Sequence, residues 1–485
     1  MKKLLALIVL LDVAVFFPVQ QRRPAVLALT HVTVIDMTGA APKADMTVVI
    51  TGNLISTIGR TGEVSIPRDA QVIDAAGRFL IPGLWDMHVH ALRKERVDHF
   101  LPLFVANGIT GVRDMGTTAD GFAALGQLRQ EIASGTRIGP RIIAAGRILD
   151  GARPAVPENS VPFATPTEAR EAVHFLKPGG ADFIKVYDGV PRDSYFAIIA
   201  EAKKLKIPFV GHVPTEITSI EVSDAGQKSI EHLGTLLRDC SGLEPKSIEE
   251  RVNAIIGSND KPKGPSAIPM RIAARTKIEL ATYSRPKCEQ LFARFVKNGT
   301  WQVPTLIIKQ MNTFVDSANL KNDPRMKYIS ADTLEKWKPE NNLFLKYRTP
   351  EFIETRKQLY RKEVELVGAM HRAGVKFMAG TDVGSYLYPG FSLHDELGLL
   401  VQAGFTSMEA LRTATYNPAA FLGELDSQGT VQCGKVANLV LLYSNPLENI
   451  ANTKRIAAVV LNGHYLSRGK LDGLLADVEA SVKAR

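Results

Sequence analysis

Two histidines separated by a single residue, His88 and His90, follow the apolar run "LIPGLWDM". Residues two apart in a strand point to the same face, so this spacing directs both imidazoles to one side. Neutral imidazole is a frequent ligand of zinc and other divalent metals. The pair therefore predicts part of a metal site, and two hydrogen-bonded core histidines are the alternative.

Four more residues able to bind metal end other apolar runs: Lys185 in "ADFIKVY", His212 in "FVGHVP", His232 in "SIEHLG" and Asp382 in "VKFMAGTD". A buried lysine readily loses its proton, and reaction with carbon dioxide would then give a carbamate whose two oxygens can bridge two ions. The alternative for Lys185 is an ordinary surface lysine whose stem covers apolar neighbours. Taken singly, each of the four is ambiguous.

The elements that must hold these residues are short apolar runs that alternate with helix-like segments. There are eight such runs: "LIPGLWDMHVH", "GITGVRDM", "RIIAAGRI", "DFIKVYDG", "IPFVGHV", "SIEHLG", "WQVPTLII" and "VKFMAGTD". Repeated β-then-α units predict an α/β fold with parallel strands, and eight units favour a closed (β/α)8 TIM-like barrel. Catalytic groups of such barrels lie at the carboxyl ends of the strands. We expect the barrel over residues 81–426.

Both ends of the chain have a sequence pattern that differs from the alternating runs and helices between them. "HVTVIDMTG" and "MTVVITGNLISTIG" near the start, and "ANLVLLY" and "IAAVVLNGHYL" near the end, are β-branched runs closed by glycine or Asn-Gly turns. We expect residues 25–80 and 427–475 to form one small β-sandwich domain.

The order of the motifs "PGLWDMHVH", "FIKVYDG", "FVGHVP", "SIEHLG" and "MAGTD" resembles the amidohydrolase superfamily. More narrowly, the chain resembles the imidazolonepropionase-related branch, which includes Xaa-Pro dipeptidases and enzymes acting on N-acyl amino acids. The resemblance extends over residues 30–470 and includes "GKVANLVLLYSNPL" near the end. Asn438 departs from the family, where Asp is frequent at this position, but it lies far in sequence from the six candidate ligands.

The resemblance implies a role for each matched position. His88, His90 and Asp382 would hold one divalent ion, His212 and His232 a second, and carbamylated Lys185 would bridge the two. Zinc suits this mixture of nitrogen and oxygen ligands. A metal-bridging hydroxide would attack the scissile amide carbonyl, while Asp382 shuttles its proton to the departing amine.

Five residues are candidates for contact with substrate: Tyr187, Arg113, Tyr386, Tyr388 and His394. Tyr187 lies two residues past Lys185 and could donate to the developing oxyanion, or it could pack in the barrel. Arg113 could bind a substrate carboxylate, or it could pair with Asp114 or another acid. The two loop tyrosines, Tyr386 and Tyr388, could line a side-chain pocket or cover the barrel rim. His394 could contact substrate or cap the helix that begins near it.

These features predict a metal-dependent amidohydrolase that cleaves a peptide-like bond in small substrates, such as dipeptides with C-terminal proline or N-acyl amino acids. Two alternatives stay open. One is a cyclic-amide hydrolase or deaminase with a single metal, which would not need Lys185 as a bridge. The other is a small-molecule binding protein without turnover, which the intact set of six ligands opposes.

The 485 residues carry a formal charge of +9, but Lys and Arg are spread without a dense basic run. We therefore expect a small-molecule substrate and no nucleic-acid partner, while a homo-oligomer stays open. Residues 1–24, with Lys2 and Lys3 before an apolar stretch, predict a signal peptide or a retained anchor. Export is the first expectation, and membrane association would occur only through this segment.

The cysteines Cys240, Cys288 and Cys433 are far apart and include no C-x-x-C pair. This pattern indicates neither a disulfide framework nor a thiolate zinc site. One disulfide can form in an exported protein, but the sequence does not choose the pair.

Overall fold

The computed structural model describes residues 25–257, 267–315, 322–341, 343–384 and 386–483. The predicted signal or anchor segment, residues 1–24, lies outside the described residues. The fold is mixed α/β, with one sheet from the two chain ends and two parallel sheets between them. Within the described ranges, no helix combines the length and apolarity that crossing a membrane requires.

Strands from both chain ends share one eight-stranded sheet, ordered β17-β16-β15-β5-β1-β2-β3, with β4 beside β1. Its strands are β1 (Val26–Val34), β2 (Lys43–Thr51), β3 (Leu54–Arg60), β4 (Gln71–Asp74), β5 (Phe79–Pro82), β15 (Leu439–Leu442), β16 (Ile456–Leu461) and β17 (His464–Ser467). One end of β1 pairs with β4 and the other with β5, both in parallel. Leu29, Val48 and Leu439 from this sheet belong to an apolar core that is separate from the main one.

The remaining strands form two parallel sheets, β6-β7-β8 and β10-β9-β11-β12-β13-β14. These strands are β6 (Leu84–Val89), β7 (Ile109–Asp114), β8 (Arg141–Ala144), β9 (Ile148–Asp150), β10 (Ser160–Pro162), β11 (Ile184–Val186), β12 (Phe209–Gly211), β13 (Ser229–Glu231) and β14 (Trp301–Val303). The residues of β6, β7 and β12 are all buried, which is typical of parallel strands covered on both faces.

Backbone hydrogen bonds also connect the two parallel sheets to each other. The amide of Asp182, just before β11, donates to Ala144 of β8 at 2.9 Å. Residues 376–382 lie between β14 and β6, because Met378 donates to Gln302 at 3.0 Å and Met87 donates to Ala379 at 2.9 Å. Gly380 permits this approach, since a Cβ at that position would lie 2.8 Å from the Cβ of His88.

Helices follow most of the parallel strands and pack against them in the main apolar core. They are α1 (Lys94–Ala106), α2 (Ala119–Ala123), α3 (Leu125–Ser134), α4 (Pro166–Leu176), α5 (Arg192–Lys204), α6 (Ser219–Asp224), α7 (Leu236–Asp239), α8 (Pro245–Ile256), α9 (Ala267–Ala281), α10 (Arg285–Asn298), α11 (Leu306–Phe314), α12 (Ala331–Lys336), α13 (Leu343–Lys346), α14 (Pro350–Arg372), α15 (Phe391–Gln402), α16 (Ser407–Thr413), α17 (Tyr416–Leu422) and α18 (Arg468–Lys483). Capping boxes begin α4, α6 and α16, where a threonine and a glutamate three residues later satisfy free amides reciprocally.

A disulfide joins Cys240, just after α7, to Cys288 in α10. Both residues are buried, whereas Cys433 is exposed and free. The bond thus encloses α8 and α9, and it supplies the pairing that the sequence left open.

Candidate metal centre

The two histidines of the H-x-H pair present their Nε2 atoms to Asp382. Nδ1 of His88 lies 2.9 Å from Oε2 of Glu231, and Nδ1 of His90 lies 2.8 Å from the carbonyl oxygen of Gly116. A carbonyl can only accept, so the His90 proton is on Nδ1. A carboxylate at Nδ1 of His88 has the same effect, and both Nε2 lone pairs are left free to bind a metal.

His212 follows β12 and His232 follows β13, and both show the same arrangement. Nδ1 of His212 lies 2.9 Å from Oδ1 of Asp188. Nδ1 of His232 lies 2.7 Å from Oγ1 of Thr305, whose hydroxyl hydrogen is directed to the carbonyl of Pro304 at 2.8 Å. Thr305 therefore accepts from His232. The rings of His88 and His232 are 4.5 Å apart, and those of His212 and His232 are 4.9 Å apart.

The carboxylate of Asp382 lies close to three of these four histidines. Its Oδ1 is 3.5 Å from Nε2 of His88 and 3.3 Å from Nε2 of His90. Its Oδ2 is 4.0 Å from Nε2 of His232. The residue has a left-handed backbone, with φ of 62°, and its amide donates to the carbonyl of His88 at 2.7 Å. One ligand atom each from His88, His90 and Asp382 lies within 4.8 Å of the others, which is the spacing that a single bound ion requires.

Two buried nitrogen atoms of this group lack a hydrogen-bond partner among the described residues: Nε2 of His88 and Nε2 of His212. A buried polar atom without a partner is costly, and most native examples have a specific explanation. Burial, and then the nearby charge of Lys185, holds the pKa of His88 well below its ordinary value. Burial likewise holds the pKa of His232 well below that value. Both imidazoles are therefore neutral, which is the form that binds metal.

Lys185 lies in β11 with 1% of its surface exposed. Burial, the largest cause, lowers the pKa of its ammonium to about 8, and Arg113 adds to the effect while Glu231 and Asp382 oppose it. Within the described part of the chain, Lys185 forms no salt bridge. The surface-lysine alternative is excluded, and the position suits an amine that readily loses its proton.

Tyr187 lies on the same strand side as Lys185, whose Nζ is 5.8 Å from the centre of the tyrosine ring. The ring stacks on His212 at 4.1 Å. Burial raises the pKa of the Tyr187 phenol well above its ordinary value, so the group stays protonated and can donate a hydrogen bond.

A family model described as the amidohydrolase family matches residues 79–466, which include all six predicted ligands. The chain belongs to the amidohydrolase family. The resemblance identified from the sequence is thereby confirmed. No curated protein is significantly similar to the chain in sequence.

Solved structures with a similar fold include several amidohydrolases. A Xaa-Pro dipeptidase with methionine in its active site is 21% identical with a TM-score of 0.65, over 91% of this chain and 100% of that one. A prolidase in complex with N-methylphosphonate-L-proline is 21% identical with a TM-score of 0.64, over 92% and 100%. Bottromycin amidohydrolase is 20% identical with a TM-score of 0.71, over 95% and 91%. These similarities establish the shared fold.

Arg113 has no solvent exposure in this member of the family, and all its contacts are internal. Its guanidinium donates to both oxygens of Glu231 at 2.9 Å, to Ser229 and to the carbonyl of Met87. A substrate carboxylate cannot reach a group whose donors are already engaged inside the core. The predicted substrate contact of Arg113 is therefore corrected to its alternative, pairing with an acid, which is Glu231 rather than Asp114.

Apart from Tyr187, the three remaining predicted substrate contacts pack against protein. His394 is buried between Thr453, 3.0 Å from its Nδ1, and the carbonyl of Asn107, 3.1 Å from its Nε2. Tyr386 stacks on Trp337 at 5.6 Å, and Tyr388 meets the same ring edge-on at 5.8 Å. Both tyrosines are almost fully buried. For these three residues the structure favours packing, which was the alternative to substrate contact.

Several residues that orient the predicted ligands were not identified from the sequence. Asp86 accepts from the amides of His88 and Thr381 and from the Thr381 hydroxyl, so it ties the H-x-H strand to the Asp382 turn. Burial raises the pKa of Asp86 to about 7. Asp86 and Glu231 lie inside the quoted motifs, so proximity to a ligand could have identified them. Thr305 lies in the run "WQVPTLII", but no predicted ligand is near it in the sequence.

Proposed function

We propose that the chain is a metal-dependent amidohydrolase that cleaves an amide bond in small substrates such as dipeptides with C-terminal proline or N-acyl amino acids. One observation carries this proposal: the Nε2 atoms of His88, His90 and His232 lie within 4.0 Å of the Asp382 carboxylate. In the same group of histidines, Nε2 of His88 and Nε2 of His212 are buried without a hydrogen-bond partner among the described residues. The names of the structural neighbours, a Xaa-Pro dipeptidase and a prolidase, support the choice of peptide-like substrates.

The ligands divide into two sets in this proposal. His88, His90 and Asp382 would hold one divalent ion, and His212 and His232 would hold the second. Carbamylated Lys185 would lie between them, since a buried amine with a lowered pKa is the form that reacts with carbon dioxide. Zinc suits these nitrogen and oxygen donors. When bound, such ions lower the pKa of water and polarise a carbonyl oxygen.

Asp382 would move the proton in the reaction. Its side chain is 26% exposed, so a carboxylate oxygen is accessible from the open side of the centre. It would accept a proton from the attacking water as the carbon–oxygen bond forms. It would then donate that proton to the amine nitrogen as the carbon–nitrogen bond breaks. The phenol of Tyr187 would donate to the carbonyl oxygen as negative charge develops there.

We also propose that the parallel strands and residues 376–382 close into a (β/α)8 barrel over residues 81–426. The hydrogen bonds between Asp182 and Ala144 and between Met87 and Ala379 support this closure. The sheet shared by both chain ends would form a β-sandwich domain from residues 25–80 and 427–475. In β1, the change of neighbour from β4 to β5 supports a sharp bend of that sheet.

Export of the protein is part of the proposal. The buried disulfide between Cys240 and Cys288 supports it, because disulfides persist in oxidising compartments outside the cytosol.

A substrate screen tests the proposed function. Purified full-length protein loaded with zinc would be assayed against a library of dipeptides and N-acyl amino acids, with release of the free amine as the readout. We expect hydrolysis of a subset that shares a free carboxylate or a C-terminal proline. Full zinc loading without hydrolysis of any library member would favour a binding protein and contradict the proposal.

A further inference from the structure

Glu231 ends β13, directly before the proposed ligand His232, and has no solvent exposure. Strand geometry would direct the two side chains to opposite faces. The left-handed backbone of His232, with φ of 57°, breaks this alternation. Glu231 contacts Nδ1 of His88, and Nε2 of His232 lies 4.0 Å from Oδ2 of Asp382.

Both carboxylate oxygens of Glu231 are occupied by hydrogen bonds on the side of His88 that faces away from Asp382. Arg113 donates to both carboxylate oxygens at 2.9 Å, and Ser229 donates to Oε1 at 2.6 Å. Nδ1 of His88 lies 2.9 Å from Oε2. Because Asp382 approaches the same ring at Nε2, Glu231 lies on the far edge of the imidazole. Glu231 therefore supports the proposed metal ligand His88 through a hydrogen bond and is not a metal ligand itself.

Arg113 fixes both the carboxylate and the strand that carries His88. Its Nε donates at 2.7 Å to the carbonyl of Met87, the residue before His88. Its guanidinium lies 5.7 Å from the ring centre of Phe183 and 5.3 Å from that of Phe421. With these contacts the arginine has little freedom to move, and neither has the carboxylate it holds.

The contact between His88 and Glu231 differs from those of the other three histidines. His90 and His232 have neutral partners at Nδ1, a carbonyl and a hydroxyl. The partner of His212 is a carboxylate, but the Asp188 side chain is 57% exposed. The side chains of His88 and Glu231 are both 0% exposed. An ionic hydrogen bond is strongest where solvent screens it least.

We propose that Glu231, held by Arg113, is a positioning residue that orients His88 and strengthens its binding of a divalent metal. This inference rests on the proposed function. The carboxylate keeps the His88 proton on Nδ1, fixes the direction of Nε2 and makes that nitrogen a stronger donor to the ion. Partners of this kind typically change metal affinity 10- to 100-fold when they are replaced.

The test is a zinc titration of the full-length protein in competition with a chromogenic chelator. Glu231→Gln should raise the dissociation constant of one zinc ion about 10- to 100-fold, because an amide cannot accept from Arg113, Ser229 and His88 together. The matched control is Glu279→Gln, which makes the same change at a buried glutamate of α9. A folded Glu231→Gln protein with a zinc dissociation constant within twofold of wild type would overturn the inference.

A second variant covers the case in which Glu231→Gln fails to fold because Arg113 loses its partner. Arg113→Met combined with Glu231→Gln removes both charges and should show the same loss of zinc affinity. It should also reduce the rise in melting temperature that zinc produces. If melting temperatures fell equally with and without zinc, the pair would be merely structural and the inference wrong. Failure of wild-type protein to bind zinc would instead contradict the proposed function.

Discussion

At the scale of single residues, Asp382 has two tasks in the proposed site, as a ligand and as the group that moves the proton. Asp382→Asn keeps the shape of the side chain but cannot accept a proton at neutral pH. We expect kcat/KM for the library substrate to fall by about 10²- to 10⁴-fold, the usual contribution of general acid–base catalysis. The same change at the exposed Asp193 is the control. Retention of wild-type kcat/KM by Asp382→Asn would show that another group moves the proton.

His394 provides a prediction about pH. Burial lowers its pKa to about 4, whereas an unfolded histidine has a pKa near 6.5. Below about pH 6.5 the unfolded chain binds a proton that the folded chain does not, so stability falls as pH drops toward 4. The difference corresponds to roughly 3 kcal/mol in the free energy of unfolding.

Urea unfolding at pH 7.5 and pH 4.5 measures this effect. His394→Gln should reduce the difference in unfolding free energy between the two pH values by about 2–3 kcal/mol. His464→Gln, at an exposed position, is the control. An unchanged difference in the His394 variant would mean that this histidine does not contribute to acid sensitivity.

The residues that sequence analysis found and those it missed differ in a physical way. The six predicted ligands stand at the ends of apolar runs, where their type and position are visible without the fold. Arg113 and Glu231 are 118 positions apart, so only folding shows that they pair. The packing of Tyr386 on Trp337 likewise joins distant segments, which a local pattern cannot reveal.

At the scale of elements, the start of α11 connects a helix to the metal centre. Thr305, which accepts from His232, precedes the helix with a left-handed φ of 47°. The next two amides, of Leu306 and Ile307, donate to the buried carboxyl group of Glu396 at 3.0 and 2.7 Å. Glu396 from α15 therefore caps α11 and holds the turn that contains Thr305.

Glu396→Gln tests this cap. One of the two accepted hydrogen bonds is lost because the amide nitrogen cannot accept, and we expect the free energy of unfolding to drop by about 1–3 kcal/mol. Chemical denaturation measures the loss. Glu95→Gln, at an exposed position in the first turn of α1, should change stability far less. Equal stability of the two variants would contradict the capping role.

The disulfide supports another element-scale prediction. It closes a loop across a sequence separation of 48 residues that contains α8 and α9. Replacing both Cys240 and Cys288 by serine should lower the free energy of unfolding by up to about 4 kcal/mol in the chain-entropy model. Cys433→Ser is the control because that thiol is free and exposed. If wild type and the double variant unfolded at the same denaturant concentration, the bond would not stabilise the protein.

At the scale of the whole molecule, alternation of apolar runs and helices predicted the α/β class and the positions of most of the parallel strands. The run "VKFMAGTD" was predicted as a strand but has only an isolated bridge at Phe377, and β10 was not predicted. The run "RIIAAGRI" was predicted as one strand, but it forms β8 and the start of β9, with Gly146 between them at φ of 72°. The pattern of apolar residues in the sequence does not reveal the interruption of the strand at Gly146. The pairing of sheet edges also depends on hydrogen bonds between residues far apart in sequence, such as that from Met87 to Ala379. A short segment of sequence does not reveal these hydrogen bonds.

In the proposed function Lys185 joins two metal ions in one centre, and the zinc content of the purified protein tests this arrangement. Mass spectrometry of the metal, normalised to protein concentration, should give two zinc ions per chain for wild type. Lys185→Met, which keeps an apolar stem but cannot form a carbamate, should give one or fewer. One zinc ion per chain in wild type, unchanged in Lys185→Met, would contradict the two-metal account and favour a single-metal hydrolase or deaminase.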